Sequence, residues 1–512
     1  MTVTFTPPLA TIENAHHHSR AASENEAAAK FAKGQLLDAL NGSSDVQRIL
    51  LKAAAGAGKS FLLRGLVQDA IAQPQCLRVA VTAFQNRQLW PLAESLGKTI
   101  GKDNVVLWSS KGRFNDVPDS VKNAATVVDS IRDVPPEAPV VVATTHMLGM
   151  LGARGALLKH LGPSFHGDHR FDVLFVDEAW QLPHHLFDRV TYTAPIHVGV
   201  GDVGQLPPLE IAENPWRGDP GFNPYRAWPT AYDGDDTKTW ATELPTVWRP
   251  TGEQLGLWRA FYPEWSSLNC VAAPGDRSIE VDEKMPEPAR SVWQSVASGV
   301  PNLLEVDGLP EAEAADVDLP LVEFVEGLLD ELFSFGFTLS KEIYNADGTP
   351  SGKTDVDRPG SDSADPLIAI LATRNQAVDD ATDAVNRLSK KHDLTESDLL
   401  ASTVDSWQGQ TNGITIAIHP LTGASELDEF NSSFGRLAVA CTRASHGLLL
   451  VSRPGLDQLL QEAPARPGTP FGEPGNRHLP RQTHLRILAS FRRGTMTVGK
   501  TRPPANQSST TK

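Results

Sequence analysis

Lys59 and Ser60 close the octet Ala53-Ala54-Ala55-Gly56-Ala57-Gly58-Lys59-Ser60, the first of five segments whose residue types and spacing could do chemistry. Two nearby glycines let the backbone of Gly56, Ala57 and Gly58 wrap an anion, and a helix opening at the lysine adds the positive end of its dipole. Lys59 would then reach the outer phosphates of a nucleotide, and Ser60 would hold Mg²⁺. Only the first position departs from the usual phosphate loop, with Ala53 in place of glycine. Asp177 and Glu178 end the apolar run 173–176. Carboxylates there reach a sheet edge, Asp177 to bind Mg²⁺ and Glu178 to orient and deprotonate an attacking water. Segment 201–208 follows another apolar run and brings Asp202 and Gln205 to the same edge. The amide of Gln205 can both donate and accept, which suits sensing a terminal phosphate. Segments 404–409 (VDSWQG) and 439–444 (VACTRA) complete the five.

These residues need a scaffold. Strand-like apolar runs at 48–51, 77–82, 140–144, 173–176 and 197–200 alternate with helical stretches, one of them leaving the glycine loop at 61–72. Such alternation implies α/β architecture, a parallel sheet flanked by helices. A second alternating unit begins near residue 241. It holds an amphipathic helix over 321–335, with Leu321, Phe324, Leu328, Leu329 and Leu332 on one face, and strands at 367–372, 413–418 and 447–451. The expected organisation is a flexible polar leader over 1–27, a first lobe over 28–240, a second over 241–460 and a Pro/Gly-rich, then basic, tail over 461–512. Residues 276–318 read as an acidic solvated surface, and 339–365 as a long loop rich in Gly, Ser and Asp. The run His16-His17-His18 reads as part of the leader, with metal binding as the alternative.

The 512 residues suffice for two or three domains with sizeable cores. Three widely spaced cysteines point to a reducing compartment and away from a disulfide framework or zinc module. With no signal pattern and no membrane-length apolar run, the expected location is cytoplasmic. A formal net charge of −16 disfavours tight non-specific binding to a polyanion, although a local basic groove can coexist with an acidic exterior.

The five motifs, in this order, resemble those of the superfamily 1 helicases. The forms Asp177-Glu178-Ala179-Trp180-Gln181 and Gly201-Asp202-Val203-Gly204-Gln205-Leu206-Pro207-Pro208 are closer to the 5′→3′ branch. The resemblance spans roughly residues 31–460. It implies two tandem RecA-like P-loop NTPase lobes, ATP and Mg²⁺ as cofactors, and single-stranded nucleic acid as partner, DNA ahead of RNA. It also implies roles residue by residue. Gln35 stands where the family reads the adenine edge. Segments 81–86, 143–146 and 370–376 resemble strand-contacting motifs. Leu244-Pro245-Thr246-Val247-Trp248-Arg249 resembles L-x-x-x-Y-R, with Trp for Tyr, and its Arg249 would reach the γ-phosphate from the second lobe. Segment 436–444 resembles R-L-N-V-A-L-T-R-A, making Arg443 the expected second arginine finger. Thr411 replaces an acid the family usually carries after Gln408-Gly409, which bears on coupling rather than on nucleotide binding. Trp90, Trp180, Trp248 and Trp407 flank motifs as core residues or base-stacking platforms. The implied activity is an ATP hydrolase that moves along single-stranded nucleic acid. The alternative is an ATP-driven remodeller of a protein complex that keeps the motor core.

Overall fold

The computed structural model describes residues 3–204, 208, 224–232, 237–265, 267–314, 317–427, 434–463 and 480–499. The chain opens on β1 (Thr4–Thr6) and α1 (His18–Leu40). Then follow β2 (Arg48–Ala53), α2 (Lys59–Ile71), β3 (Val79–Thr82), α3 (Asn86–Ile100), β4 (Val105–Trp108), α4 (Asp119–Ala124) and β5 (Thr126–Val128). Next come β6 (Val140–Ala143), α5 (Thr145–Gly149), α6 (Leu151–Leu161), β7 (Val173–Asp177), α7 (His184–Phe187), β8 (Ile196–Asp202) and β9 (Thr239–Leu244). Strands β2 to β9 form one eight-stranded sheet in the order β5-β4-β6-β3-β7-β8-β2-β9. Every pairing in it is parallel. Strands β3, β4, β6, β7 and β8 are buried at every position, which is why they read as unbroken apolar runs rather than alternating ones.

Beyond β9 lie β10 (Thr246–Val247), α8 (Leu255–Phe261), β11 (Asn269–Cys270), β12 (Arg277–Val281), α9 (Ala289–Ala297), β13 (Asn302–Asp307), α10 (Leu319–Phe335), β14 (Phe337–Tyr344) and β15 (Pro350–Asp357). The last elements are β16 (Ile368–Ala372), α11 (Asn375–His392), β17 (Leu399–Thr403), β18 (Asn412–Ile418), α12 (Phe434–Cys441), β19 (Ala444–Ser452), α13 (Leu456–Glu462), α14 (Pro480–Leu488) and β20 (Arg492–Thr497). The second main sheet runs β1-β20-β13-β19-β18-β16-β17, parallel except for the antiparallel edge pair β1 and β20. Two α/β lobes are therefore present, as expected. Asp318 caps α10 by accepting from the Leu321 amide at 3.1 Å, and Leu321, Leu328, Leu329 and Leu332 face the core as the periodicity predicts.

Several expectations need correction. Residues 4–27 are not a free leader: β1 pairs with β20, and α1 starts at His18. The histidines dock rather than gather around a metal. His17 Nδ1 lies 2.9 Å from the Cys270 carbonyl, and His18 Nε2 lies 2.8 Å from Asp276. The described part of the basic tail, residues 480–499, is likewise built in, because β20 joins β13 and places Arg493 against Glu305 and Asp457. Residues 241–244 belong to the edge strand of the first sheet, not to the second lobe. The acidic stretch contains the buried strand β13, and the expected 339–365 loop contains strand residues that form a three-stranded sheet, β12-β14-β15. Alternation was hard to see there because β15 is mostly exposed. Among the described residues, no helix is long and apolar enough to cross a membrane.

Burial lowers the pKa of His197 to about 4, and those of His419 and His446 to about 3. All three fold neutral, whereas in the unfolded chain they accept protons below the ordinary 6.5. The unfolded state thus binds more protons between those values, so stability falls as pH drops from 6.5 toward 4. Urea denaturation across this range checks the sign. For His419→Asn or His446→Asn the acid-side slope becomes shallower.

Candidate nucleotide cleft

The phosphate loop leaves β2 at Ala53 and enters α2 at Lys59. Gly56 and Gly58 have φ of 73° and 90°, left-handed values that favour glycine. A Cβ on Gly56 would also lie 2.4 Å from Cβ of Arg249, so only glycine lets the segment carrying Arg249 close on the loop. The Trp248 amide donates to the Gly56 carbonyl at 2.8 Å, which fixes that approach. From α8 and the turn after it, Trp258 Nε1 donates to the Ala55 carbonyl at 3.0 Å, and the Ala55 amide donates to the Tyr262 hydroxyl at 3.0 Å. The same hydroxyl donates to Asp202, 2.9 and 3.0 Å from its two oxygens. Tyr262→Phe is expected to cost about 1–3 kcal/mol of stability, since a buried amide and a carboxylate each lose a partner. Urea melts of wild type and mutant measure it.

Strand register brings the acids to the same edge. Ala53 pairs with Asp202, and Asp177 with Val200, so the loop and both carboxylates meet at the carboxyl ends of neighbouring parallel strands. Ligands of open α/β sheets bind at such ends. Glu178 has φ of 50°, a strained value for a non-glycine residue. A Cβ on Gly201 would lie 2.9 Å from the Ala179 nitrogen, so glycine there lets the turn after Glu178 press onto β8. Lys59 Nζ sits 3.2 Å from Glu178 and 3.7 Å from Asp202. Burial alone would lower its pKa, but Glu178, Asp202 and Asp177 outweigh that and raise it. Asp177 is pushed up to about 7, by burial first and then by Glu178. Burial likewise raises Asp202. This is a lysine held among three acidic side chains, two of which burial holds above the ordinary carboxylate range. Asp177 and the Ser60 hydroxyl are hard oxygen donors at this edge, a set that fits Mg²⁺.

The opposite wall comes from later in the chain. A cleft of about 410 Å³ is lined by Gly56, Lys59, Ser60 and Glu178 on one side and by Arg249, Arg277, Lys341 and Arg443 on the other. Arg249 Nε donates to Thr411 Oγ1 at 2.9 Å, and its Nη1 to the Thr442 carbonyl at 2.9 Å. Arg443 Nη1 donates to the Gln410 carbonyl at 3.4 Å. Both guanidiniums thus hold the loop after Gln408-Gly409. Burial, then Arg443, lowers the Arg249 pKa to about 9, and it stays charged at neutral pH. The neutral hydroxyl of Thr411 tethers Arg249 without neutralising it.

Not every expected residue reaches the cleft. Lys59, Ser60, Gly56, Gly58, Glu178, Arg249 and Arg443 line it, whereas Gln35 on α1 does not. Asp177 lies beside them through its effect on Lys59, and Ala57 is buried in the loop. Gln205 lies outside the described residues. Asn25 occupies a place the sequence did not mark: its Nδ2 donates to the Ala57 carbonyl at 3.0 Å and to the Thr246 carbonyl at 2.7 Å. Gln181 was quoted only as part of a motif, yet it is a bridge. Its Nε2 donates to Glu178 at 3.1 Å, and its Oε1 accepts from Gln88 at 3.1 Å. Gln88 lies in the first turn of α3, which follows the expected strand-contacting segment 81–86. Trp180 is core, and Trp248 lines the cleft. Arg277, Lys341 and Asp365 also line it and were not foreseen, because the sheet that carries the first two was not legible.

No family model and no curated protein matches the chain. Solved structures similar to it include the PRRSV helicase, at 14% identity and a TM-score of 0.36 over 84% of this chain and 58% of that one. Another is the DUF1998 helicase MrfA bound to DNA, at 10% identity and a TM-score of 0.42 over 90% of this chain and 50% of that one. A third is the Pif1 helicase from Bacteroides in complex with ADP-AlF3 and ssDNA, at 13% identity and a TM-score of 0.31 over 81% and 91%. The likeness is to helicases. The chain spans less than two thirds of the first two, and the functional reading rests on the cleft's own residues.

Proposed function

We propose that the cleft binds and hydrolyses ATP and that the two lobes convert this into movement along single-stranded nucleic acid. The observation that carries the reading is the two-sided wall: Lys59, Ser60 and Glu178 face Arg249 and Arg443 across one cleft. Glu178 orients and deprotonates the attacking water. Lys59 and the two arginines meet the charge spread over the transferring phosphoryl group, with guanidinium suited to do so bidentately. Mg²⁺, held by Ser60 and Asp177, would neutralise phosphate charge. Because the arginines stand on the far wall, a bound triphosphate draws the walls together and its hydrolysis releases them. The chain Gln88–Gln181–Glu178 supports strand coupling, since it ties the hydrolytic carboxylate to the helix after segment 81–86.

The test is fluorescence anisotropy of labelled single-stranded DNA, single-stranded RNA and duplex with a non-hydrolysable ATP analogue. Binding to a single strand that changes with nucleotide supports the reading, DNA being the first expectation. No binding to any of them contradicts it.

A further inference from the structure

We propose that Arg277 is a positioning residue that clamps the two finger segments into one unit. The proposal rests on the ATP reading of the cleft and adds a residue that no motif marks. Arg277 opens β12, outside both main sheets. Its Nη1 donates to the Arg249 carbonyl at 2.5 Å and to the Ser445 carbonyl at 3.3 Å. Its Nη2 donates to the Trp248 carbonyl at 2.8 Å. One guanidinium thus holds the backbone of the first finger and the backbone two residues past the second, Arg443. The fingers lie far apart in sequence, so their spacing in the cleft depends on such a tie.

The choice of arginine is informative. Its planar fork reaches three carbonyls from two separate nitrogens, whereas an amide has only two donors and an ammonium sends its three from a single atom. It also adds a third guanidinium to a wall already holding two, and it stands directly opposite Lys341 in the β12-β14 register. Like charges facing each other across strands are destabilising. Lys341 offsets part of that cost by pairing with Asp355 at 3.1 Å, and the remaining cationic wall suits a polyanion. The placement of β12 is itself fixed. Asp276, just before Arg277, accepts from Tyr344 at 2.6 Å, from the Ala273 amide at 2.7 Å and from His18 at 2.8 Å.

Two measurements test the clamp. The first is steady-state ATPase of Arg277→Met, Arg277→Gln and Arg277→Lys with saturating single strand. The clamp predicts a kcat loss of about 10²-fold for Met, the scale of a roughly 1 Å misplacement, with KM for ATP little changed and partial rescue by Lys. In an Arg249→Ala/Arg443→Ala background, Arg277→Met costs nothing further. Wild-type kcat in Arg277→Met, or a loss of the same size without the fingers, overturns the clamp. The second is amide hydrogen exchange of nucleotide-free protein, which needs no activity. Segments 246–249 and 443–446 should exchange faster together in Arg277→Lys than in wild type. Unchanged protection in either segment overturns the clamp, even if the wild type proves not to hydrolyse ATP. If Arg277→Met does not fold, the Lys and Gln variants carry both measurements.

Discussion

Lys59→Ala is expected to abolish ATP turnover. The ammonium lies within 3.7 Å of Glu178 and Asp202, and among the described residues the cleft wall it occupies offers no second lysine or arginine to replace it. Removing it leaves the phosphates without their nearest cation and leaves Asp177, Glu178 and Asp202 without their shared counter-charge. The second effect means the mutant is also less stable, by about 3–5 kcal/mol if the loss resembles other broken buried pairs. Glu178→Gln separates the two effects. It keeps Lys59 and the phosphate contacts, removes the carboxylate that activates water, and should lower turnover by about 10²–10⁴-fold with nucleotide affinity retained. Nucleotide binding by equilibrium dialysis, steady-state turnover and urea melts on both variants decide this. Full hydrolysis by Lys59→Ala would remove the phosphate-loop assignment. Lost affinity in Glu178→Gln, with unchanged turnover per bound ATP, would make Glu178 structural.

Arg443→Ala is the second large expected loss, because an arginine finger contributes about 10³–10⁵ in rate. Its guanidinium is buried and bonded to the Val439 carbonyl at 3.0 Å and to Thr442 Oγ1 at 2.9 Å, so the protein's own groups fix its orientation. Arg249→Ala should behave alike. Both side chains hold the 409–411 loop, and the double mutant should be little worse than either single, since residues that act as a unit are strongly non-additive. ATP binding to the loop side should survive in all three. A double mutant with the product of the two single losses would show that the arginines act independently.

The residues that gather at the cleft were legible in the sequence where they sit on regular elements. The phosphate loop, Asp177 and Glu178 follow buried parallel strands whose apolar runs are unmistakable, and each turn falls at a strand's carboxyl end. Arg443 was legible through the order of motifs, not through any local pattern. What stayed hidden was set by long-range pairing. Strand β13 lies within an acidic stretch, yet it sits between β19 and β20 because neighbouring strands supply its context. The β12-β14-β15 sheet joins residues some sixty positions apart and is exposed along β15, so neither alternation nor composition announced it or the Arg277 and Lys341 it carries. Gln35 is a different case. The resemblance alone pointed to it, and it does not line the cleft, whereas α1 presents Asn25 to the loop.

The measurement that tests the account most directly is steady-state ATPase of the purified chain across a titration of single-stranded DNA and, separately, RNA. Closure of the arginine wall onto the phosphates should depend on a bound strand, so a basal rate that rises with added strand and saturates is the predicted result. A measurable ATPase that neither polymer changes would contradict strand-driven movement and favour an ATP-driven switch acting on a protein complex. No ATPase under any condition would contradict the reading of the cleft itself.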